Sequence, residues 1–151
     1  MIADAILAYL HFTAIFLLFS FLTAQAMLLR APLDDRGIRL LGRIDIFYAV
    51  SAVAVLATGM LRLGFGAKGA DFHLSHWPVY AKVGLFLVVG VMSVKPTLEF
   101  IGWRRALEHD PAWKLPAAAQ GAMRRIVMLE LHLAALIPVF AVMMARGLGY
   151  S

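Results

Sequence analysis

The chain has 151 residues, 62% hydrophobic and only 15% charged, with a net charge of +5, no cysteine and a mean hydropathy of +0.82. That composition describes an integral membrane protein and leaves no room for a soluble domain of ordinary size beside its spans. The lack of Cys excludes disulfides, thiolate metal centres and cysteine nucleophiles, so any metal would use His, Met, carboxylate or Lys nitrogen.

Four apolar stretches predict an all-α, single-domain bundle of transmembrane helices in up-down-up-down order, over about 6–29, 44–61, 79–98 and 126–145. The first stretch contains Ala24-Gln25-Ala26, which could pass for a signal-peptidase site. No Lys or Arg precedes Arg30 and the apolar run is too long for a signal peptide, so this helix is expected to be retained. Along it, Asp4, His11, Leu18 and Gln25 recur every seven residues as one stripe. In the second helix Tyr48, Ser51, Val55, Thr58 and Arg62 form another, and both stripes are expected to face the bundle interior. For Tyr48, Ser51 and Thr58 this implies packing and interhelical hydrogen bonds. Ala49, Ala52, Gly59, Gly84 and Gly90 are small enough to let backbones approach closely.

The third helix opens at Trp77 and carries Lys82 a few residues further in. Between the third and fourth helices, Ile101-Gly102-Trp103-Arg104-Arg105-Ala106-Leu107 combines an apolar side with a basic one, as a helix lying on the headgroups would. Pro111 and Pro116 are expected to end it. The fourth helix contributes Glu130 and His132.

Basic residues in short loops favour the cytoplasm. Arg30, Arg36, Arg39, Arg43, Lys95, Arg104, Arg105, Lys114, Arg124 and Arg125 share one end, against Arg62, Lys68, Lys82 and Arg146 at the other. Both termini and the 62–78 connection are therefore expected outside, in a bacterial inner (cytoplasmic) membrane. Trp77 at the outer end, with Trp103 and Trp113 at the inner, fits an aromatic belt. The bilayer is the expected partner, with a homo-oligomer or larger membrane complex as further options. The basic residues flank spans and form no stripe with exposed aromatics, which argues against nucleic acid.

An ionisable group in hydrocarbon costs about 2.5–3.5 kcal/mol on insertion scales, so each one asks for a partner, a cavity or a cofactor. His11 lies roughly 9 Å inside the outer edge, where a neutral imidazole with a free nitrogen is expected. Lys82 falls at a comparable depth on a helix running the other way, and the two could face one cavity. The plainer alternatives are a structural histidine and a lysine snorkelling to the headgroups. The functional alternative is a b-type haem or porphyrin held edge-on between helices, with His11 as the ligand to iron. Arg62 or Arg146 would meet the propionates, and Lys82 or no ligand would face the other side. His132 is a poor second ligand, since it differs in depth from His11 by roughly 13 Å at helical rise.

Two other readings stay open. His73 and His76 in the outer connection, with Met60, Met143 and Met144 near the same end, offer ligands for copper. A non-catalytic accessory subunit of a membrane complex is equally compatible. In that case Asp45, Lys95, Glu99, Arg125 and Glu130 form ion pairs at the inner ends of the helices. No serine-nucleophile elbow, phosphate loop or zinc-protease helix motif occurs, so if the protein is an enzyme it is expected to be an oxidoreductase.

The overall plan, the run Lys95-Pro96-Thr97-Leu98-Glu99-Phe100 and the closing Met144-Ala145-Arg146-Gly147 resemble a family of four-helix bacterial membrane proteins defined only as a domain of unknown function, over nearly the whole chain. More distantly, His11, the segment Trp77-Pro78-Val79-Tyr80-Ala81-Lys82 and Glu130 resemble the HemJ-type protoporphyrinogen oxidases and the wider group with the CopD-type copper-resistance proteins. The HemJ resemblance implies a bound b-type haem and porphyrin oxidation, with roles for His11 and Lys82. Phe12-Thr13-Ala14-Ile15-Phe16 stands where that family has a Trp after the His and a Leu-Pro-Arg continuation.

Overall fold

The computed structural model describes residues 2–65 and 77–146. They form four helices: α1 (Ile2–Leu28), α2 (Asp35–Phe65), α3 (Trp77–His109) and α4 (Ala117–Ala145). All four are long and apolar enough to cross a membrane. In hydrocarbon every backbone polar group must be satisfied within the chain, and a helix does this within each span.

The helices pack as a square in which α1 pairs most closely with α2, and α3 with α4. The α2/α3 and α1/α4 faces close the ring more loosely, and the backbones of the diagonal pairs make no close approach among the described residues. Contacts along the first hairpin show its antiparallel sense. His11 meets Thr58, Phe21 stacks on Phe47 with centroids 5.4 Å apart, and Gln25 meets Asp45. Trp77 at the start of α3 likewise contacts Phe140 late in α4, edge to face at 5.9 Å.

Three of the helices are longer than their apolar runs. The sequence places the second span from about residue 44, yet α2 begins at Asp35. The Asp34 carboxylate caps it, accepting from the Gly37 N–H at 2.7 Å. Helix α3 runs on to His109, and α4 starts at Ala117. The expected surface-lying helix around Trp103 is therefore the continuation of α3. Its apolar side, Phe100, Trp103 and Leu107, is buried against Ile38, Leu41, Met123 and Val127, while Arg105 stays exposed. Trp103 is thus part of the core and not of an aromatic belt, whereas the outer Trp77 is exposed as a belt residue would be.

This extended inner end is tied across the bundle. The Gln120 side-chain amide on α4 donates to the carbonyls of Leu29 (3.2 Å) and Ala31 (2.6 Å), and its Oε1 accepts from the Leu33 N–H at 3.4 Å. Toward the opposite end burial thins, and Ala14, Val55, Val79, Val89 and Ala134 are the buried apolar side chains in that half among the described residues. Around the waist, side chains such as Phe16, Val50, Val91, Leu98 and Val139 point outward and give the bundle an apolar girdle. Lipid is as apolar as these residues, so association depends on packing and on hydrogen bonds between helices.

Both polar stripes face inward as the periodicity predicts. Leu18, Gln25, Tyr48, Ser51 and Val55 are buried, and Asp4, His11, Thr58 and Arg62 half-buried. The small residues behave differently. Ala49, Gly84 and Gly90 are exposed, whereas Ala52 packs against the core and Gly59 makes a close approach beside the His11 ring.

Candidate functional site

Outer-half geometry starts from one hydroxyl. Thr58 Oγ1 donates to the Ala54 carbonyl one turn back at 2.6 Å, with the Val55 carbonyl at 3.3 Å. This is the usual behaviour of a Thr within an apolar helix. The same oxygen lies 2.8 Å from His11 Nδ1. A hydroxyl has a single proton, and here it is directed at the backbone, so toward the imidazole the oxygen can only accept. Nδ1 therefore carries hydrogen, and Nε2 keeps its lone pair. The Val55 backbone also faces the ring, adding a second acceptor on the α2 side. A hydrogen bond at one ring nitrogen that fixes tautomer and orientation is what a metal-ligating histidine usually has.

Gly59 supplies the room. A Cβ at that position would stand 3.3 Å from His11 Cε1, tighter than ordinary van der Waals contact. The adjacent pair Thr58-Gly59 thus both orients the ring and makes space for it.

Two cations lie within electrostatic reach of the imidazole. The Arg62 guanidinium lies over the Phe12 ring, 5.5 Å from its centroid, a cation–π contact that holds the charge beside the residue after His11. The charges of Arg62 and Lys82 both act on His11, and that of Arg62 acts on Lys82. Lys82 is half-buried on α3, diagonally across the bundle from α1. Neither cation makes an ion pair with a carboxylate among the described residues.

The residues singled out by sequence are sorted differently at the inner end. Asp45 and Glu130 are buried, Glu99 is half-buried, and Lys95 and Arg125 are exposed. The expected ion pairs do not form among the described residues, whose one salt bridge joins Arg104 to Glu108 at 3.6 Å. Asp45 is served instead by Gln25. His132 is exposed, and its Nδ1–H donates to the Met128 carbonyl of its own helix at 2.6 Å. His73 and His76 lie outside the described residues, Met60 is exposed and Met143 half-buried. No group of three His, Cys, Asp or Glu that could hold a metal ion occurs among the described residues.

Two surface grooves are the best developed on the bundle. One is lined by Gly121, Arg124, Arg125 and Met128, the other by residues such as Met27, Pro32, Leu40 and Ile44, so both lie at the inner end away from His11. Thr58, Gly59 and Gln120 carry more of the structure than their sequence positions suggest. A Thr one residue before a Gly on the inward stripe facing a His was the available signal for the first two. Gln120 stands outside any periodic stripe and gave none.

The family model described as "Predicted membrane protein (DUF2214)" matches residues 3–149. No curated protein and no solved structure shows a significant match. With four membrane-length helices and a family match over almost its entire length, the chain belongs to this family of predicted membrane proteins.

Proposed function

We propose that the protein is a membrane-embedded redox protein that binds a b-type haem or porphyrin in the outer half of the bundle, as the resemblance to HemJ-type proteins implies. The observation that carries this reading is the Thr58 oxygen placed 2.6 Å from the Ala54 carbonyl and 2.8 Å from His11 Nδ1, an arrangement that suits a donating Nδ1–H and leaves Nε2 as a bare ligand nitrogen. Neutral imidazole of this kind is a common axial ligand to haem iron.

The surrounding residues fit the group. A haem carries two carboxylates, and Arg62 and Lys82 are two half-buried cations within electrostatic reach of His11 with no acidic partner among the described residues. Arg62 would hold a propionate by charge-assisted hydrogen bonds, and Lys82 would face the group from the opposite helix. When bound, haem supplies one-electron transfer. The chain itself contributes orientation of the ligand nitrogen, charge compensation and exclusion of water. Orientation of the bundle follows from the basic residues, which put this site toward the cell exterior.

Metal and pigment content of the purified protein test the proposal. Protein made in haem-replete cells should contain iron and an extractable porphyrin in equal amounts, close to one per chain. Copper without iron would replace this reading with the CopD-like one. Neither metal nor porphyrin would leave an accessory subunit.

A further inference from the structure

A second polar site lies deeper in the bundle, apart from His11. Asp45 stands about 15 Å along α2 from its first residue and Glu130 about 20 Å along α4, at helical rise. Both are buried, with 5% and 1% of their surface exposed. Asp45 Oδ1 accepts from Gln25 Nε2 on α1 at 3.1 Å, and Thr97 on α3 lies within its reach. Glu130 has no such support, because its Oε1 is fully buried and makes no hydrogen bond.

The one charged group among the described residues that acts on Glu130 is another acid, Asp45. From α2 it faces Asp45 and Tyr48, each within electrostatic reach. From α1 and α3 the partners within reach of these groups are the neutral side chains of Gln25, Ser93 and Thr97. On α3 Lys95 is exposed and Glu99 half-buried, and on α4 itself Arg125 and His132 are exposed. No basic group among the described residues compensates the two acids. Two neighbouring buried carboxylates without a counter-cation cannot both stay ionised, since the desolvation penalty and their mutual repulsion add.

We propose that Asp45 and Glu130 form a proton-binding site inside the membrane, in which Glu130 holds the proton and Asp45 is the carboxylate. The partners decide the asymmetry. The Gln25 amide donating to Asp45 stabilises its negative charge, whereas the fully buried Glu130 oxygen with no donor is tolerable only on a neutral acid. An ionisable pair of this kind within a span is the equipment of a proton relay.

Infrared spectroscopy of the full-length protein in lipid at neutral pH, in H2O and D2O, tests this. The wild type should show the carbonyl stretch of a protonated carboxylic acid, shifted downward in D2O. Glu130→Gln should remove that band, and Asp45→Asn should keep it at an altered frequency. Circular dichroism establishes that both variants retain wild-type helicity. No protonated-acid band in the wild type, or a band kept by Glu130→Gln and lost by Asp45→Asn, overturns the assignment. The same follows if the band vanishes when choline is replaced by sodium, which would make the site one for an alkali cation.

Discussion

Thr58 and His11 are joined by a 2.8 Å contact whose polarity is set from outside the pair, by the Ala54 carbonyl that takes the threonine's only proton at 2.6 Å. A backbone feature of α2 thereby decides which nitrogen of a side chain on α1 is free. The contact also bridges the two helices that pack most closely, so orienting the ring and holding the hairpin are served by one interaction.

Replacing Thr58 by Val keeps the shape and removes the acceptor. Loss of a partner that orients a metal ligand typically costs about 10–100-fold in affinity. Thr58→Val should therefore weaken haem binding by about that factor in a haem titration of the apoprotein. Thr58→Ser should bind close to wild type. Equal affinity for Val and wild type would show that the hydroxyl does not orient the ring.

Gly59→Ala separates fold from site. Alanine is favoured over glycine within a helix by about 0.8–1.0 kcal/mol, so unfolding in mixed micelles should be unchanged or shifted toward greater stability. Its Cβ would nevertheless press on His11 Cε1 from 3.3 Å. Haem affinity is expected to fall several-fold in the same protein. A bulkier Gly59→Leu should abolish binding.

Gln25 and Asp45 carry the buried hydrogen bond between α1 and α2. Gln25→Leu leaves the Asp45 carboxyl without that donor in an apolar interior, at a cost of about 1–3 kcal/mol. The double variant Gln25→Leu/Asp45→Leu should recover most of this loss. Recovery would be read from the detergent unfolding midpoint, and a double variant no more stable than Gln25→Leu would contradict the pairing.

Since the chain has no cysteine, single reporters give its orientation without background. Ala3→Cys should react with a membrane-impermeant maleimide in intact spheroplasts, and Arg39→Cys only after permeabilisation. The reverse pattern would invert the bundle and move the His11 site to the cytoplasmic side.

Much of this architecture is legible in the sequence because it depends on length and periodicity. Four apolar runs give four spans, and spacings of three, four and seven put His11, Gln25, Thr58 and Arg62 on inward faces. Helix ends were not legible. Hydropathy marks where lipid begins, whereas α2 and α3 continue past it, since Ile38, Leu41, Phe100 and Trp103 still find apolar partners. The inner acids were legible as a group but not in their pairing. Asp45 and Glu130 turn inward while Lys95 and Arg125 remain at the surface, and a count of charges at similar depth contains no information on which face each occupies. Gln120 acts through three backbone groups of a distant turn, and such a contact has no periodic signature.

The central claim is that His11 presents a nitrogen to haem iron. Its most direct test is the reduced-minus-oxidised visible spectrum of His11→Ala beside wild type, both purified from haem-replete cells. Wild type should give sharp, split bands, His11→Ala should lose them, and added imidazole should restore them in part. Full haem occupancy with an unchanged spectrum in His11→Ala would contradict the account.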